Sequence, residues 1–217
     1  MDNLKLPDPF IEALRSLFEW LDAERTPGTS IGGVAVSLIA QPRATQDIDA
    51  VIWLEERAWE SFLETGKAHG IIQRISDALD FARKSRVLLL KHETSGISID
   101  LSLGGLEFER EMIERSKKLI VGGLAIRVPT PEDLVITKAV AQRPKDLADI
   151  DAILSVTPDL DTTRVLYWVQ QFADALEMPE IADNLEKILH YHSAPHPLPH
   201  TPARKKARNT AERKKRP

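Results

Sequence analysis

The sequence predicts an α/β (α+β) protein in which a mixed sheet flanked by helices is followed by a helical C-terminal subdomain and a disordered basic tail. Short apolar runs bounded by turn residues alternate with amphipathic stretches of helical spacing as far as Val128. After Thr130 every periodic segment has helical spacing, and the final segment is too polar to form a core. The predicted divisions are an α/β domain with its N-terminal helix over 1–128, a helical subdomain over 129–192 and the tail over 193–217.

Apolar periodicity and Gly or Pro punctuation predict the elements of the first part of the chain. The first helix has Asp8 as its N-cap and Pro9 at its first position, and Pro27-Gly28 ends it. The predicted elements are this helix over 8–25, a strand, a Gly-Gly break and a short helix over 29–40, a strand over 47–54, and helices near 56–68 and 74–84.

Two hairpins and a series of helices are predicted for the rest of the chain. The runs 86–92 and 97–103 are joined by a short polar turn, which is typical of a hairpin. A second hairpin over 118–128 turns at Gly122-Gly123, a pair that accepts positive φ at both positions. The predicted helices that follow cover 131–142, 145–156, 161–176 and 179–192.

Composition excludes several classes of protein. Of the 217 residues, 42% are hydrophobic and 29% are charged, so a packed core is expected. There is no cysteine, which excludes disulfide frameworks, Cys-ligated zinc, iron–sulfur clusters and thiol nucleophiles. No stretch of 18 apolar residues and no signal-peptide pattern is found, so we expect a soluble cytoplasmic protein without membrane contact.

Charge is distributed unevenly along the chain. The net charge is −4, yet residues 193–217 contribute +7, from eight Lys or Arg against Glu212, so the preceding part carries −11. Clustered Lys and Arg release counterions from phosphates, which favours a nucleic-acid contact by the tail. A tail that only improves solubility is the alternative.

The segment with the clearest chemical content is Asp47-Ile48-Asp49 at the start of a predicted strand. Alternate side chains of a strand share a face, so the two carboxylates project together, about 7 Å apart along the strand. Adjacent carboxylates repel unless a cation lies between them, and hard oxygen ligands suit Mg²⁺ or Mn²⁺. The alternative is that Asp47 caps the strand start and Asp49 is a solvated residue.

Asp100 is the only acid on the polar face of the predicted strand 97–103, where it alternates with apolar residues. If this strand lies beside 47–54, Asp47, Asp49 and Asp100 converge. Three acids on adjacent strands are typical of a site for two metal ions that clamp an in-line phosphoryl displacement. The alternative for Asp100 is an edge-strand charge that opposes aggregation.

Gly32-Gly33 supplies a complementary feature. A tight turn before a short helix leaves backbone N–H groups available to phosphate oxygens. The hydroxyls of Thr29 and Ser30 are near enough in sequence to contribute further donors. The alternative is an ordinary strand-to-helix turn.

In this order and spacing, Ile31-Gly32-Gly33, the run from Arg43 to Leu54, and the run from Ser98 to Leu103 resemble the DNA polymerase β-like nucleotidyltransferase superfamily. A second block, Thr130-Pro131-Glu132-Asp133-Leu134 with Lys138, Arg143, Lys145, Asp146 and Asp149, is similar to the C-terminal block of the AbiEii-like group. That group includes toxins of type IV toxin–antitoxin systems. The resemblance covers roughly residues 28–155.

The resemblance implies a nucleotidyltransferase-type fold and a Mg²⁺-dependent (or Mn²⁺-dependent) enzyme with an NTP as substrate. Catalytic and metal-binding roles would fall to Asp47, Asp49 and Asp100. Lys138 would reach the triphosphate, and Lys145 would do the same or pair with Asp146. Arg43 would steady phosphates or cover the loop. The nucleotide-binding set it implies is Gly32, Gly33, Ser30, Arg43, Lys138 and Lys145.

The implied acceptor is a hydroxyl of RNA, such as tRNA, or of a protein, and a cognate antitoxin is an implied partner. Two other interpretations remain. One is a non-catalytic module that keeps the fold and binds a nucleotide or nucleic acid, which the valine after Gly32-Gly33 favours because many active members have serine there. The other is a two-metal hydrolase, which the lack of histidine within the carboxylate motifs disfavours.

Overall fold

The computed structural model describes residues 7–41 and 45–193. Arg43 and the tail beyond Ser193 lie outside the described residues, so the predictions made for them stay predictions. The elements in chain order are α1 Asp8–Ala23, β1 Gly28–Ile31, α2 Gly32–Ile39, β2 Asp47–Ile52, α3 Trp59–Gly66, β3 Ile71–Gln73, α4 Ala78–Ser85, β4 Val87–His92, β5 Ser98–Leu103, α5 Glu107–Arg115, β6 Lys117–Val121, β7 Leu124–Val128, α6 Pro131–Ala141, α7 Pro144–Val156, α8 Thr162–Leu176 and α9 Glu180–Ser193.

The main sheet is mixed and has five strands in the order β1-β2-β5-β4-β3. Strands β2 and β5 run parallel, whereas the other neighbours in this sheet are antiparallel. The pairings β4–β5 and β6–β7 confirm the two predicted hairpins, and Gly122 and Gly123 have φ of 56° and 79°. The predicted mixed sheet with a helical C-terminal region is therefore confirmed.

Two hydrophobic cores lie on opposite sides of the sheet. The first is formed by the inward residues of β2, β5 and β4, such as Ile48, Leu101 and Leu88, with α1 and α3. The second lies behind β2, where Val51 packs with residues of α2, α5 and the four C-terminal helices. This second core contains residues from both sides of the predicted boundary at 128, and the division itself stays a prediction.

Several local predictions were wrong. Pro7 is the N-cap of α1, so Asp8 lies in the first turn and caps nothing with its side chain. The predicted helix 74–84 begins only at Ala78, because β3 adds a three-residue edge strand just before it. Helix α5 was not predicted, since its polar sequence has weak apolar periodicity. Its start is stabilised by the Glu109 carboxylate, which accepts the N–H groups of Gly105 and Leu106.

Within the part of the chain that the structure describes, every helix is too short or too polar to cross a bilayer. The cytoplasmic location stays a prediction from the sequence.

Candidate active site

Two of the predicted carboxylates are neighbours across parallel strands. Asp49 on β2 is directly opposite Asp100 on β5, and adjacent strands are about 4.8 Å apart. The alternation predicted for β2 is confirmed, because Ile48 and Ala50 are buried whereas Asp47 and Asp49 are not. Since β5 is the central strand of the sheet, the alternative of Asp100 as an edge-strand charge is wrong. The sheet therefore sets Asp49 beside Asp100 and places Asp47 on the same face of β2.

These acids form one wall of an open cavity of about 470 Å³. The strand ends, the start of α2 and the junction between α6 and α7 meet around it. The lining residues are Ile31, Gly32, Gly33, Thr45, Gln46, Asp47, Asp49, Asp100, Thr137, Lys138, Arg143 and Lys145. Carboxylates, backbone N–H groups and cationic side chains thus share a single space.

The turn from β1 into α2 requires glycine at its first position. Gly32 has φ of +62°, and a β-carbon there would lie 2.7 Å from Cγ of Asp49. Ile31 is the N-cap residue of α2, and no side chain of the described residues caps this helix start. Gly32 and Gly33, its first residues, line the cavity, as an anion-binding helix start requires.

The electrostatics of the cavity centre on Asp49. Burial raises the pKa of its carboxyl, and the neighbouring charges of Asp47 and Asp100 raise it further. Lys138 and Lys145 act in the opposite direction without cancelling the increase. The carboxylate is therefore held in a place where added positive charge is favourable.

Lys138 lies in a buried ion cluster at the edge of the cavity. Its Nζ is 3.0 Å from Oδ1 of Asp146 and 2.8 Å from Oδ2 of Asp149, and its side chain is only 4% exposed. Burial of Asp146 opposes ionisation, but hydrogen bonds from Arg143 and Lys138 outweigh it and lower the pKa. Lys138 therefore joins α6 to α7 while it borders the cavity, and Asp146 pairs with Lys138 and Arg143 rather than with Lys145.

Each of the other two carboxylates has a protein partner. Arg74, directly after β3, donates from Nη2 to Oδ1 of Asp100 at 2.8 Å. Thr45 Oγ1 donates to Oδ1 of Asp47 at 3.3 Å. With the side chains as they stand, no three His, Asp or Glu among residues 7–41 and 45–193 are grouped to hold a metal ion.

The structure does not bring Ser30 to the cavity. Its side chain is buried and its Oγ donates to the carbonyl oxygen of Arg127 at 2.8 Å. Thr29 is also buried, and its Oγ1 donates to the carbonyl oxygen of Ser30 at 3.5 Å. The sequence predicts that both hydroxyls are available to phosphates. They are not, because β7 packs against β1 and Ser30 bonds to a residue of β7.

Two arginines at the site were not predicted from the sequence. Arg143 lines the cavity together with Lys145. Its side chain is exposed, whereas that of Lys138 is buried. Arg74 reaches Asp100 from the far edge of the sheet. The only available signal for Arg143 was its place in the block of Lys138, Lys145 and Asp146. Arg74 had none, because β3 was not recognised.

Comparison with known proteins identifies the class. Residues 12–192 match the family described as nucleotidyltransferase of unknown function (DUF6036), and the chain belongs to that family. It is accordingly a nucleotidyltransferase. No curated protein matches the chain.

Several solved structures are similar to the chain at low sequence identity. A nucleotidyltransferase-like antigenic protein from Paracoccidioides brasiliensis is 14% identical, with a TM-score of 0.51 over 83% of this chain and 94% of that one. The antibiotic-resistance factor ANT(2'')-Ia in solution is 14% identical, with a TM-score of 0.48 over 82% and 95%. The lincosamide antibiotic adenylyltransferase LnuA is 14% identical, with a TM-score of 0.47 over 71% and 100%.

Proposed function

We propose that this nucleotidyltransferase moves a nucleoside monophosphate from an NTP to a hydroxyl acceptor in the cavity between β2, β5, α2 and the α6–α7 junction. One observation carries the proposal. Three carboxylates from adjacent strands share a cavity with a helix N-terminus and with the cations Arg143 and Lys145. This is the combination that a metal-bound triphosphate needs.

The donor set fits a divalent cation. Asp47, Asp49 and Asp100 offer only hard oxygen ligands, as Mg²⁺ or Mn²⁺ prefers. Burial, and after it the charges of Asp47 and Asp100, raises the pKa of Asp49, so bound positive charge would be favourable there. Asp47 and Asp49 would hold the metal, and Asp100 would join them by leaving Arg74. When bound, the metal neutralises charge that develops on the phosphate oxygens.

The cationic side of the cavity would hold the triphosphate. The N–H groups at the start of α2 would bind phosphate oxygens, and Arg143 and Lys145 would neutralise the leaving pyrophosphate. Lys138 contributes by fixing α7 through Asp146, which sets the position of Arg143.

The reaction then follows from the placement of Asp100. The acceptor oxygen attacks the α-phosphorus while the bond to the pyrophosphate oxygen breaks in line. The proton of the acceptor hydroxyl would go to the Asp100 carboxylate, which lines the same cavity. The products are a phosphodiester and pyrophosphate.

Transfer is tested by incubating the purified chain with each α-³²P-labelled NTP, Mg²⁺ and either total RNA or cell lysate. We expect label from one or more NTPs to enter an RNA or a protein band. If no band is labelled and Mg²⁺–NTP binding is also absent, the proposal fails.

The biological role is a separate proposal, which rests on the block from Thr130 to Asp149 and its similarity to AbiEii-like proteins. In this proposal the chain is the toxin of a toxin–antitoxin pair and has a cognate antitoxin. Induced expression of wild type should stop bacterial growth, whereas expression of Asp49→Asn should not. If growth is unchanged although wild type is well expressed, the proposed toxin role fails, and the proposed nucleotidyl transfer is not affected.

A further inference from the structure

The Asp100 carboxylate of the cavity is already bound to a cation of the protein. Arg74 follows β3, and its N–H donates to the carbonyl of Leu89 at 2.9 Å, which continues the pairing of β3 with β4 by one residue. Leu89 is in turn opposite Asp100. Arg74, Leu89 and Asp100 therefore lie in one row across the sheet, and the guanidinium of Arg74 donates from Nη2 to Oδ1 of Asp100 at 2.8 Å.

This guanidinium takes up a ligand atom of the proposed metal site. An arginine side chain stays protonated in proteins, so its charge is permanent. While Oδ1 of Asp100 accepts from Arg74 it is not a free ligand, and the positive charge beside it opposes a divalent cation. With the pair formed, residues 7–41 and 45–193 contain no group of three His, Asp or Glu that could hold a metal ion. Arg74 therefore occupies the place of a cation at Asp100.

The pair of Arg74 with Asp100 is exchangeable. Their side chains are 32% and 35% exposed, and an ion pair in contact with water contributes little net free energy. The ion cluster on the other side of the cavity differs, because Lys138 and Asp146 are almost completely buried. Breaking that cluster would leave charges buried, whereas Arg74 and Asp100 can both be solvated when they separate. A divalent cation at the carboxylates can therefore displace Arg74 but not Lys138.

We propose that Arg74 is a positioning residue that takes the place of a second divalent cation at Asp100 in the metal-free protein. Its ion pair leaves Asp47 and Asp49, which share a face of β2, to bind a first cation by themselves. Asp100 completes a second cation site only after it has released Arg74, so the two sites fill in order and the second is weaker. The inference rests on the proposed function and adds the residue that controls when the metal site is complete.

The test counts the Mn²⁺ ions bound by the full chain, which is a measurement that does not depend on activity. Metal-free protein is titrated with Mn²⁺ at constant ionic strength, and the free ion is measured by electron paramagnetic resonance. The titration is repeated with NTP analogues whose α,β-methylene bridge prevents transfer. Thermal unfolding first confirms that each variant is folded.

The variants separate the effect of Arg74 from a change of net charge. Arg74→Gln removes the competing cation, and Arg74→Lys keeps it. The matched control is Arg83→Gln, because Arg83 on α4 also forms exposed ion pairs, with Glu56 and Asp80, outside the cavity. The double variant Arg74→Gln/Asp100→Asn lacks both partners and is compared with Asp100→Asn alone.

We expect wild type to bind Mn²⁺ in two phases, and Arg74→Gln to bind the second ion about fivefold more tightly, as the loss of a competing exposed ion pair predicts. Arg74→Lys and Arg83→Gln should resemble wild type, and Arg74→Gln should have no effect in the Asp100→Asn background. An unchanged or weaker second site in Arg74→Gln would overturn the inference, and so would equal tightening in Arg83→Gln. If neither wild type nor any variant binds Mn²⁺, with or without the analogues, the proposed function fails as well.

Discussion

Gly32 and Asp49 are packed so closely that a β-carbon at Gly32 would lie 2.7 Å from Cγ and 2.8 Å from Cβ of Asp49. The backbone of the α2 start and the central carboxylate of the cavity therefore depend on each other. The sequence predicts that the backbone of Gly32 and Gly33 binds phosphates. The structure adds a steric requirement for glycine at position 32, because a side chain there would clash with Asp49.

Gly32→Ala should reduce both stability and transfer, because the new methyl group displaces the Asp49 carboxylate. Gly122→Ala is the matched control, since Gly122 has φ of +56° and a β-carbon there would meet no described atom within 4 Å. The control reports the backbone strain alone, about 1–2 kcal/mol. Thermal unfolding should show a larger loss for Gly32→Ala than for Gly122→Ala. Equal losses with full transfer activity would contradict the steric account.

Lys138→Met should mainly reduce stability, whereas Lys145→Met should mainly weaken NTP binding. Removing Lys138 takes away the buried cation that Asp146 and Asp149 share, while Asp146 keeps its pair with Arg143, so the loss of stability should be about 3 kcal/mol. Lys145 is exposed at the cavity, so its loss should leave stability almost unchanged and weaken NTP binding. Urea unfolding and NTP titration separate the two effects. Full stability of Lys138→Met would show that the cluster contributes little to the fold.

Asp146→Asn should give a pH-dependent loss of stability. The pKa of Asp146 is lowered in the folded state, so its stabilising effect is complete above the ordinary aspartate pKa of about 3.9 and is lost as the pH falls through the lower folded value. The variant should therefore be less stable than wild type at neutral pH, and the difference should narrow under acid conditions. Denaturation curves from neutral to acid pH check this. A constant difference would exclude the ionic contribution.

Ser30→Ala should affect the fold and not the nucleotide. The variant loses the part-buried hydrogen bond from Ser30 Oγ to the Arg127 carbonyl, at a cost of about 0.5–1.5 kcal/mol. NTP affinity should not change, because the hydroxyl lies away from the cavity. A stable variant with weakened NTP binding would restore the role expected from the sequence.

The carboxylate arrangement could be predicted because it depends on strand periodicity. In β5, the alternation of Ser98, Asp100 and Ser102 with buried aliphatic residues fixes which face Asp100 occupies. The prediction that Asp49 and Asp100 lie close together depended on one assumption, that their two strands are adjacent. The resemblance to the nucleotidyltransferase superfamily supported this assumption.

The ion pairs around the cavity could not be predicted because they depend on packing between distant elements. The spacing of Lys138, Asp146 and Asp149 is equally typical of exposed ion pairs on helix surfaces, whereas in the structure all three side chains are buried. Arg74 meets Asp100 only because a three-residue strand joins the sheet edge, and such a short strand leaves little periodicity to read.

The central claim is that Asp47 and Asp49 carry nucleotidyl transfer, and the most direct measurement is label transfer from α-³²P-NTP by wild type, Asp47→Asn and Asp49→Asn. Both variants should fold, and Asp49→Asn removes a charge that burial already penalises. Circular dichroism and thermal unfolding confirm the fold before activity is compared. We predict transfer by wild type and a loss of at least about 100-fold in each variant. Transfer at the wild-type rate by either folded variant would contradict the account.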